Sequence, residues 1–525
     1  MRPIQSMRVA AVLLVVVLLS AGAASARVVT GTPRNDRLVG TPQADVIRGL
    51  AGRDQLLGRG GRDFLQGGPG RDTIDAGPGA DRVAVSYDGA RDSVRCGPGL
   101  DVVNADLTDT VARDCELVGR RLSRDPYRDP LAQHETEVEP DSFTFGTTTV
   151  ATFQVGRIVE GAATNIGFAV TTDNGLTWRS GLLPGLTDAS VPVGVNERAS
   201  DPVVAFDARH GVWLISSLAL GDGVTRLAIN RSPDGATWSG AVNAAEETGA
   251  GGDEGVAFDK NWVACDNTTS SSFYGRCYLV YTHSDASDML AARWSDDGGA
   301  TWSAGVDLGV RPGVGAFPVI RPTGELVVAY LWELNGFSIA ASRSTDGGAT
   351  WSGPARIADV SASCGVRGFR AFPLPSADVD AGGRVWVAWH DCSAPGSTQN
   401  SVFVSTSADG IAWSAPAAVT SGRNALLPAI GIDAATGRVA IAYMRSATAG
   451  MDVELVESAG SGWGVPRRLS AQTMPLTWMP NTVSGRMLGD YISVHYAGGR
   501  PLVVWVLANE PVGSSLRQAV YATRG

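Results

Sequence analysis

From residue 141 to its end, the chain alternates between short apolar runs and turns rich in Asp and Gly. One typical pair of apolar runs spans residues 202–207 and 212–217. Short apolar runs bounded by turn residues are typical of β-strands buried on both faces. The pattern therefore predicts a repetitive all-β region over residues 141–525.

The strand groups of this region begin at similar intervals. Their starts lie near Phe143, Pro202, Trp262, Phe317, Phe372, Pro428 and Tyr491. Because one group cannot bury both of its faces alone, we predict that the groups stack into a closed β-propeller. Seven blades are preferred, and six are the alternative if the first and last groups share one blade.

The phrase Ser-x-Asp-x-Gly-x-Thr-Trp recurs between these strands, most clearly at residues 295–302 and 344–351. Asp can accept hydrogen bonds from the N–H groups of a tight turn, Gly supplies a positive φ, and Trp covers the turn with an apolar face. We predict structural turns whose aspartates are Asp173, Asp234, Asp297, Asp346 and Asp409. The phrase resembles the Asp boxes of the sialidase (BNR-repeat) superfamily, which implies a sialidase-like propeller with the motif on its outer rim.

Residues 31–103 follow a different period, of nine residues. Each unit has Asp at its sixth position and an aliphatic residue at its eighth. The six aspartates are Asp36, Asp45, Asp54, Asp63, Asp72 and Asp81. The units match the Gly-rich nonapeptide of calcium-binding β-helices and resemble RTX (hemolysin-type) repeats. The resemblance implies a parallel β-roll with an end cap over residues 27–117 and calcium as its cofactor. A calcium-free, Gly-rich spacer is the alternative.

Two nine-residue units make one coil, so the aspartates on one side of the roll are expected to stack. Ca²⁺ takes about six to eight oxygen ligands, which carboxylates and turn carbonyls of neighbouring coils together supply. The first two units lack the fourth-position glycine that begins with Gly52, so Asp36 and Asp45 match the pattern less completely. Without the ion the stacked carboxylates repel one another, and we expect the roll to fold only with calcium.

The segments outside the two repeats predict export and a linker. Arg2 and Arg8 precede or flank the start of an apolar run at residues 9–19, and Ala-Ser-Ala at 24–26 is a typical cleavage site. Residues 1–26 are therefore expected to be a secretory signal peptide, and the protein to be extracellular. No stretch is long and apolar enough to predict a membrane span. Residues 118–140 mix charges with Pro and predict an exposed linker.

Charge and cysteine content narrow the partners and the compartment. The net charge of −10 argues against nucleic acid as a partner. Six cysteines in an exported chain predict disulfides, and pairs between neighbouring segments are preferred among the possible connectivities. The predicted pairs are Cys96–Cys115, Cys265–Cys277 and Cys364–Cys392.

The superfamily resemblance also implies a set of catalytic groups. Sialidases use three arginines that hold the sugar carboxylate, an Asp acid, and a Tyr nucleophile assisted by Glu. Polar residues at strand starts or in loops here are candidates for these roles, with Asp253 and Asp490 as further polar residues. The arginine role falls to Arg198, Arg370 and Arg486, the acid to Asp201, the nucleophile to Tyr491 and its base to Glu254. The alternative is that these residues only brace surface loops.

The Arg-Ile-Pro phrase of sialidases is absent, and the nearest string is Arg-Ile-Val at residues 157–159. This absence favours a secreted calcium-binding protein whose sialidase-like propeller binds an extracellular glycan or a cell-surface protein, with or without catalysis. The alternative is an exo-sialidase-type glycoside hydrolase that acts on terminal acidic sugars.

Overall fold

The computed structural model describes residues 26–248, 257–284, 287–361, 365–392, 397–459 and 462–525. Regular structure in these residues is almost entirely β-strand, as predicted, with a short 3-10 turn at Leu476–Trp478. Within the same residues, no helix has the length and apolar character that crossing a membrane requires. Residues 1–25 of the predicted signal peptide lie outside the described part of the chain.

The nonapeptide region forms a parallel roll of short strands. They are β1 (Val28–Thr30), β2 (Arg37–Val39), β3 (Val46–Arg48), β4 (Gln55–Leu57), β5 (Phe64–Gln66), β6 (Thr73–Asp75), β7 (Arg82–Val85), β8 (Ser93–Arg95), β9 (Val102–Ala105), β10 (Thr110–Val111) and β11 (Leu117–Arg121). Odd-numbered strands form one sheet and even-numbered strands the other. In most of these strands the middle side chain points inward, so the aliphatic eighth positions, such as Ile47 paired with Leu65, fill the core between the sheets.

Two of the three predicted disulfides are present among the described residues. The Cys96–Cys115 bond closes the end of the roll, and Cys265–Cys277 joins two neighbouring antiparallel strands. Cys364 of the third pair lies outside the described residues, so the Cys364–Cys392 bond stays a prediction.

From residue 132 onward, antiparallel meanders follow one another. The first three meanders are β12 (Ala132–Phe145), β13 (Thr148–Ile158), β14 (Ala163–Thr171) and β15 (Arg179–Leu182); β16 (Arg198–Asp207), β17 (Val212–Gly221), β18 (Val224–Ser232) and β19 (Val242–Thr248); and β20 (Phe258–Cys265), β21 (Cys277–His283), β22 (Met289–Ser295) and β23 (Val306–Asp307).

The next meanders repeat this order. They are β24 (Gly313–Ile320), β25 (Leu326–Trp332), β26 (Phe337–Ser344) and β27 (Ala355–Val360); β28 (Ser376–Val379), β29 (Val385–Asp391), β30 (Ser401–Ser407) and β31 (Ala417–Ala418); and β32 (Ala425–Ile432), β33 (Val439–Ala447) and β34 (Gly450–Ala459) with β35 (Gly462–Trp463) and β36 (Arg467–Arg468). A small hairpin, β37 (Asn481–Thr482) and β38 (Gly485–Arg486), precedes the last three strands, β39 (Ser493–Ala497), β40 (Arg500–Val512) and β41 (Ser515–Arg524).

The first strands of the meanders lie side by side around a common axis. Each contacts the first strand of the next meander, in the order β12, β16, β20, β24, β28, β32 and β39, and β39 also contacts β12. A hydrogen bond between the hydroxyls of Ser142 and Ser493, at 2.8 Å, joins the two ends of this series. The sheets therefore form a closed ring.

The aspartates of the recurring phrase lie in the turns between third and fourth strands. In the copy at residues 295–302, Asp297 Oδ1 accepts hydrogen bonds from the N–H groups of Ala300 and Thr301, and Oδ2 accepts one from the Thr301 hydroxyl. Burial raises the pKa of Asp297, but these hydrogen bonds outweigh it, and the pKa is lowered. The carboxylate is occupied by its own turn, as expected of a structural group.

The roll and the ring share one strand. Strand β11 pairs in parallel with β9 of the roll through Leu117–Arg120, and in antiparallel fashion with the C-terminal strand β41 through Gly119–Arg121. The last meander, β39–β41, therefore takes its fourth strand from the roll. A backbone edge without such a partner would leave unpaired N–H and C=O groups.

The segment 118–140 consequently differs from the predicted exposed linker. It contains most of β11 and the first part of β12, and Leu122, Ser123 and Asp125 between them are buried. Leu122 N–H donates to Val520 O, and the Ser123 hydroxyl accepts from Val520 N–H. Mixed charge and Pro suggested exposure, but the strand pairings with β41 bury the backbone here.

Tyr87, in the turn after β7, is the second contact between roll and ring. The guanidinium groups of Arg121 and Arg517 lie 4.3 and 4.8 Å from the centroid of its ring, and its hydroxyl donates to Glu135 at 2.8 Å. Its N–H donates to Asp106. Its φ of 81° is unusual for a bulky residue. These contacts hold Tyr87 in a strained backbone conformation at the junction.

Asn104 is a third contact, and it generates a prediction. This fully buried amide donates to Leu469 O at 3.2 Å and accepts from Ala471 N–H at 2.6 Å. Asn104→Ala leaves both partners unsatisfied, so we expect the free energy of unfolding to fall by about 2–4 kcal/mol in urea denaturation. The control is Asn35→Ala in the exposed first coil, which should change it by less than about 1 kcal/mol. Equal losses for the two variants would contradict the junction described here.

Candidate functional site

The roll carries buried carboxylates whose second oxygen has no partner. In each of six aspartates, Oδ1 accepts the N–H of the aspartate one coil earlier, as in Asp54 N–H to Asp72 at 2.8 Å. Their Oδ2 atoms are buried and have no hydrogen-bond partner among the residues that the structure describes. The six are Asp54, Asp63, Asp72, Asp81, Asp92 and Asp101. Buried carboxylate oxygens without donors are costly unless a cation satisfies them.

The glycines around these carboxylates bring backbone carbonyls close. A Cβ placed on Gly70 would lie 1.7 Å from Gly52 O, and one on Gly79 would lie 1.7 Å from Gly61 O and 2.7 Å from Asp81 Oδ1. Only glycine permits this approach between coils. The turns therefore combine carboxylate and carbonyl oxygens, which are the ligands that Ca²⁺ prefers.

The first two aspartates of the repeat differ from the rest. Asp36 Oδ2 accepts from the N–H and hydroxyl of Thr32, and Asp45 Oδ2 accepts from those of Thr41. Threonine occupies the second position of these two units, where it satisfies the carboxylate internally. The residues from Asp54 onward therefore fit calcium best, and the fit extends beyond the six predicted aspartates to Asp92 and Asp101.

The pKa values of these carboxyl groups follow from burial without a cation. Burial raises the pKa of Asp72 and Asp81 to about 7 and that of Asp92 to about 8, although backbone hydrogen bonds oppose the change. Among the described residues, no three His, Cys, Asp or Glu side chains gather into a metal cluster. Calcium here would be held by carboxylates of adjacent coils together with turn carbonyls.

A second cluster lies on the axis of the ring. Five first strands carry an irregularity at the same place, with one residue in the left-handed region of φ. These residues are Glu139 (52°), Asp201 (46°), Lys260 (49°), Gly315 (67°) and Leu427 (49°). A β-bulge of this kind re-aims a side chain. Four of the five, together with Asp490, line one axial cavity.

Lys260 is the centre of the charged half of this cavity. Its Nζ lies 2.7 Å from Asp490 Oδ2, 3.6 Å from Asp201 Oδ2 and 3.9 Å from Glu139 Oε1. Arg370 forms a two-pronged ion pair with Asp490, at 2.9 and 2.6 Å. The two cations are therefore engaged by carboxylates of the chain itself.

Electrostatics in this cluster reflect burial and mutual pairing. Burial lowers the pKa of Lys260, but Asp201, Asp490 and Glu139 outweigh it, and the pKa lies well above its ordinary value. Burial also raises the pKa of Asp490, yet Lys260 and Arg370 hold it well below the usual range. Burial and the neighbouring charge of Asp201 raise the pKa of Glu139 above its ordinary value, against the opposing effect of Lys260.

A larger cavity of about 410 Å³ continues along the axis on the other side of Trp262 and Phe317, which line both cavities. Its walls are mostly apolar and include the carboxyl groups of Asp141, which is buried, and of Asp378, which is partly buried. Asp141 accepts from Val204 N–H at 2.9 Å. Burial raises the pKa of both carboxyl groups to about 7, against the opposing effect of their hydrogen bonds.

The sequence of the roll matches a protein-family model. A sequence model of the RTX calcium-binding nonapeptide repeat matches residues 30–65 and 57–84. The N-terminal region carries RTX calcium-binding repeats. The match covers the coils in which the carboxylate stack begins and continues. No curated protein matches the chain.

Several solved structures resemble the chain at low identity. They include a protein of unknown function from Dyadobacter fermentans (15% identity, 65% of this chain and 98% of that one, TM-score 0.43), the Hadza microbial sialidase Hz136 (18%, 60% and 64%, 0.39) and an α-L-arabinanase from Penicillium chrysogenum (13%, 77% and 97%, 0.40).

The six predicted catalytic residues are separated by the structure into three sets. Asp201, Arg370 and Tyr491 lie at the axial cluster, where the Tyr491 hydroxyl donates to Pro202 O at 3.3 Å. Arg198 and Arg486 donate to the carbonyls of Gly161 and Met479. Glu254 and the further polar residue Asp253 lie outside the described residues.

Lys260 and Glu139 were not among the site residues predicted from the sequence. A signal for the axial positions was present, because Pro follows the axial residue in four first-strand regions. These dipeptides are Glu139-Pro140, Asp201-Pro202, Leu374-Pro375 and Leu427-Pro428. Arg157, of the string nearest to Arg-Ile-Pro, is also buried near this cluster and donates to Ile158 O and Ala162 O.

The carboxylate stack predicts how single substitutions change calcium binding. Asp72→Asn removes a charged ligand with an orphan oxygen, so we expect isothermal titration calorimetry to give fewer calcium ions per chain and a smaller calcium-induced rise in Tm. Asp36→Asn is the matched control, because Thr32 already satisfies that carboxylate, and it should leave the stoichiometry unchanged. Unchanged stoichiometry in Asp72→Asn would contradict the assignment.

The buried carboxyl group of Asp141, in the larger axial cavity, predicts a pH dependence of stability. The folded-state pKa of Asp141, about 7, lies above the unfolded value of 3.8, so its ionisation opposes folding and stability is lost as pH rises from about 4 to about 7. Asp141→Asn should remove on the order of 2–4 kcal/mol of this loss in urea unfolding with calcium present. As a control, Asp188→Asn, at an exposed position, should retain the wild-type dependence of the unfolding free energy on pH. The same dependence in Asp141→Asn would refute the assignment.

Proposed function

We propose that the chain is an exported, calcium-stabilised binding protein, in which an RTX roll is joined to a seven-bladed propeller. Its ligand is an extracellular glycan or a cell-surface protein, and it does not cleave sugars. The blade count is supported by the seven first strands around the axis, each followed by its own meander. Calcium is supported by the RTX match and by the orphan oxygens of the stacked aspartates.

One observation carries the choice of binding over catalysis. The axial cavity, where the candidate catalytic groups meet, has a volume of about 30 Å³, whereas ligand pockets span about 300–1,000 Å³. The cationic side chains beside it form ion pairs with carboxylates. Arg370 pairs with Asp490, and Lys260 pairs with Asp490 and Asp201. A sugar carboxylate would have to displace these buried pairs, and breaking such a pair is strongly unfavourable.

A second candidate function, exo-sialidase-type hydrolysis, is favoured by a different observation. Asp201 Oδ2 is buried and accepts no hydrogen bond from the described residues, and its ion-pair partner Lys260 lies 3.6 Å away, which leaves this oxygen open to a hydrogen bond with a substrate oxygen. Tyr491 lines the same cavity, and burial raises its pKa well above the ordinary value, followed by the effect of nearby carboxylates such as Glu139. A nucleophilic Tyr would need the opposite change in pKa, so this candidate ranks second.

A fluorogenic sialoside assay of the full chain in calcium separates the two functions. We expect turnover no greater than that of the uncatalysed control, because the axial cavity is too small for the sugar and both cationic groups beside it, Arg370 and Lys260, are paired with carboxylates. Turnover that is abolished in Tyr491→Phe and retained in Tyr496→Phe, a matched tyrosine of the last meander, would overturn the binding proposal in favour of hydrolysis.

A further inference from the structure

A wide groove lies where the roll, the β37–β38 hairpin and the last meander meet. Its volume is about 840 Å³, within the range of ligand sites. Three guanidinium groups line it, from Arg128 before β12, Arg486 on β38 and Arg517 on β41. They come from three separate segments of the chain, and only the folded junction brings them together.

The three guanidinium groups have donors to spare. Arg128 uses one on Tyr127 O, Arg486 one on Met479 O, and Arg517 one on Tyr87 O. Among the described residues, no carboxylate oxygen lies within 4.0 Å of any of the three. Each guanidinium has five N–H donors in a planar fork that matches carboxylate, sulfate or phosphate oxygens.

The other charged groups of the groove are already engaged. Glu135 accepts the hydroxyl of Tyr87, and both ring nitrogens of His134 face acceptors, Asp125 Oδ2 and Asp129 O. The cationic character of the groove thus comes from the arginines. It stands out in a chain whose net charge is −10.

The groove also offers apolar contact. Val512, which is 64% exposed, lines it together with Leu516 and Ala132. Separated guanidinium forks beside a small apolar surface suit a chain of sugar rings that carries repeated oxyanions, because the forks hold the oxyanions and the apolar side chains contact the C–H faces of the rings. The volume of the groove, about 840 Å³, favours an oligomer over a single small anion.

We propose that this groove binds an acidic oligosaccharide through Arg128, Arg486 and Arg517, and that binding requires the calcium-loaded roll. The inference rests on the proposed binding function and names its ligand class. The calcium dependence arises from Tyr87, a residue of the roll that forms part of the groove wall. Its carbonyl accepts a hydrogen bond from Arg517, and its ring contacts the Arg517 guanidinium. A roll that unfolds without calcium removes Tyr87 and releases Arg517.

The test measures binding of the full chain to three hexasaccharide probes by isothermal titration calorimetry. The probes are oligogalacturonate, which carries carboxylates, a sulfated maltohexaose and neutral maltohexaose. We expect both acidic probes to bind, with affinity that falls as salt rises, and the neutral probe not to bind. The carboxylate and sulfate arms identify which oxyanion the groove prefers.

Variants locate the site. Arg486→Ala and Arg128→Ala should each weaken binding of the acidic probes about tenfold or more, since each removes a charge-assisted contact. In the described part of the chain the Arg128 guanidinium hydrogen-bonds to Tyr127 O and to no residue of the roll, so Arg128→Ala tests the groove without removing a hydrogen bond of the junction. Arg179→Ala, at an exposed arginine on β15 away from the groove, should bind like the wild type. Replacing calcium with EGTA plus magnesium should abolish binding.

The outcomes distinguish an error in the assignment of the groove from an error in the proposed binding function. If acidic probes bind but the groove variants bind as tightly as Arg179→Ala, the groove assignment is wrong and the binding function stands. If neutral maltohexaose binds as tightly as the acidic probes, the ligand class is wrong. If no probe binds in calcium, the proposed acidic-glycan site is overturned, and retained binding in EGTA would overturn the role of the roll.

Discussion

The pairing of one strand, Leu117–Arg121, with both of its neighbours is the constraint on which the rest of the molecule depends. On one side it continues the parallel sheet of the roll, and on the other it supplies the outer strand of the last meander. The ring closes between Ser142 and Ser493 at its inner strands, but the last sheet is completed only by the roll. Two repetitive structures that fold by different means therefore share one set of backbone hydrogen bonds.

Because the roll and the ring share β11, we expect calcium binding in the roll to affect the stability of the ring. Orphan carboxylate oxygens in the coils from Asp54 to Asp101 make the metal-free roll costly to fold, because the Oδ2 atom of each buried carboxylate lacks a donor among the described residues. A cation between coils offsets that cost. Since Tyr87 connects these coils to the first and last meanders, and Asn104 connects them to the segment after β36, the stability of the roll passes to that side of the ring.

Much of the fold could be predicted from sequence because its determinants are local. The nine-residue period specifies a coil, and each coil contacts only its neighbours, so Ile47 and Leu65 pair as the pattern requires. The turn phrase around Asp297 is likewise satisfied within eight residues of chain. The shared strand was not predictable, because Gly119 and Thr523 lie at opposite ends of the sequence and no periodicity links them.

The axial site was predicted only in part, for a related reason. Asp201, Arg370 and Tyr491 were predicted from strand starts and loops and meet at the axis: Asp201 and Tyr491 line the cavity, and Arg370 pairs with Asp490 of its lining. Lys260 was missed because a lysine at a strand start ordinarily faces solvent, and only the bulge at this position turns it inward among carboxylates. The ion pairs it forms close the cavity that the sequence suggested as catalytic.

Hydrogen–deuterium exchange tests the shared strand most directly. The amides to follow are those of Val520 and Ala522 in β41, which face the roll, because the N–H groups of an antiparallel strand alternate between its two neighbours. On removal of calcium, we predict that these two amides lose protection together with those of the roll coils at residues 55–66. Loss of protection in the roll alone, with Val520 and Ala522 protected as before, would contradict the account.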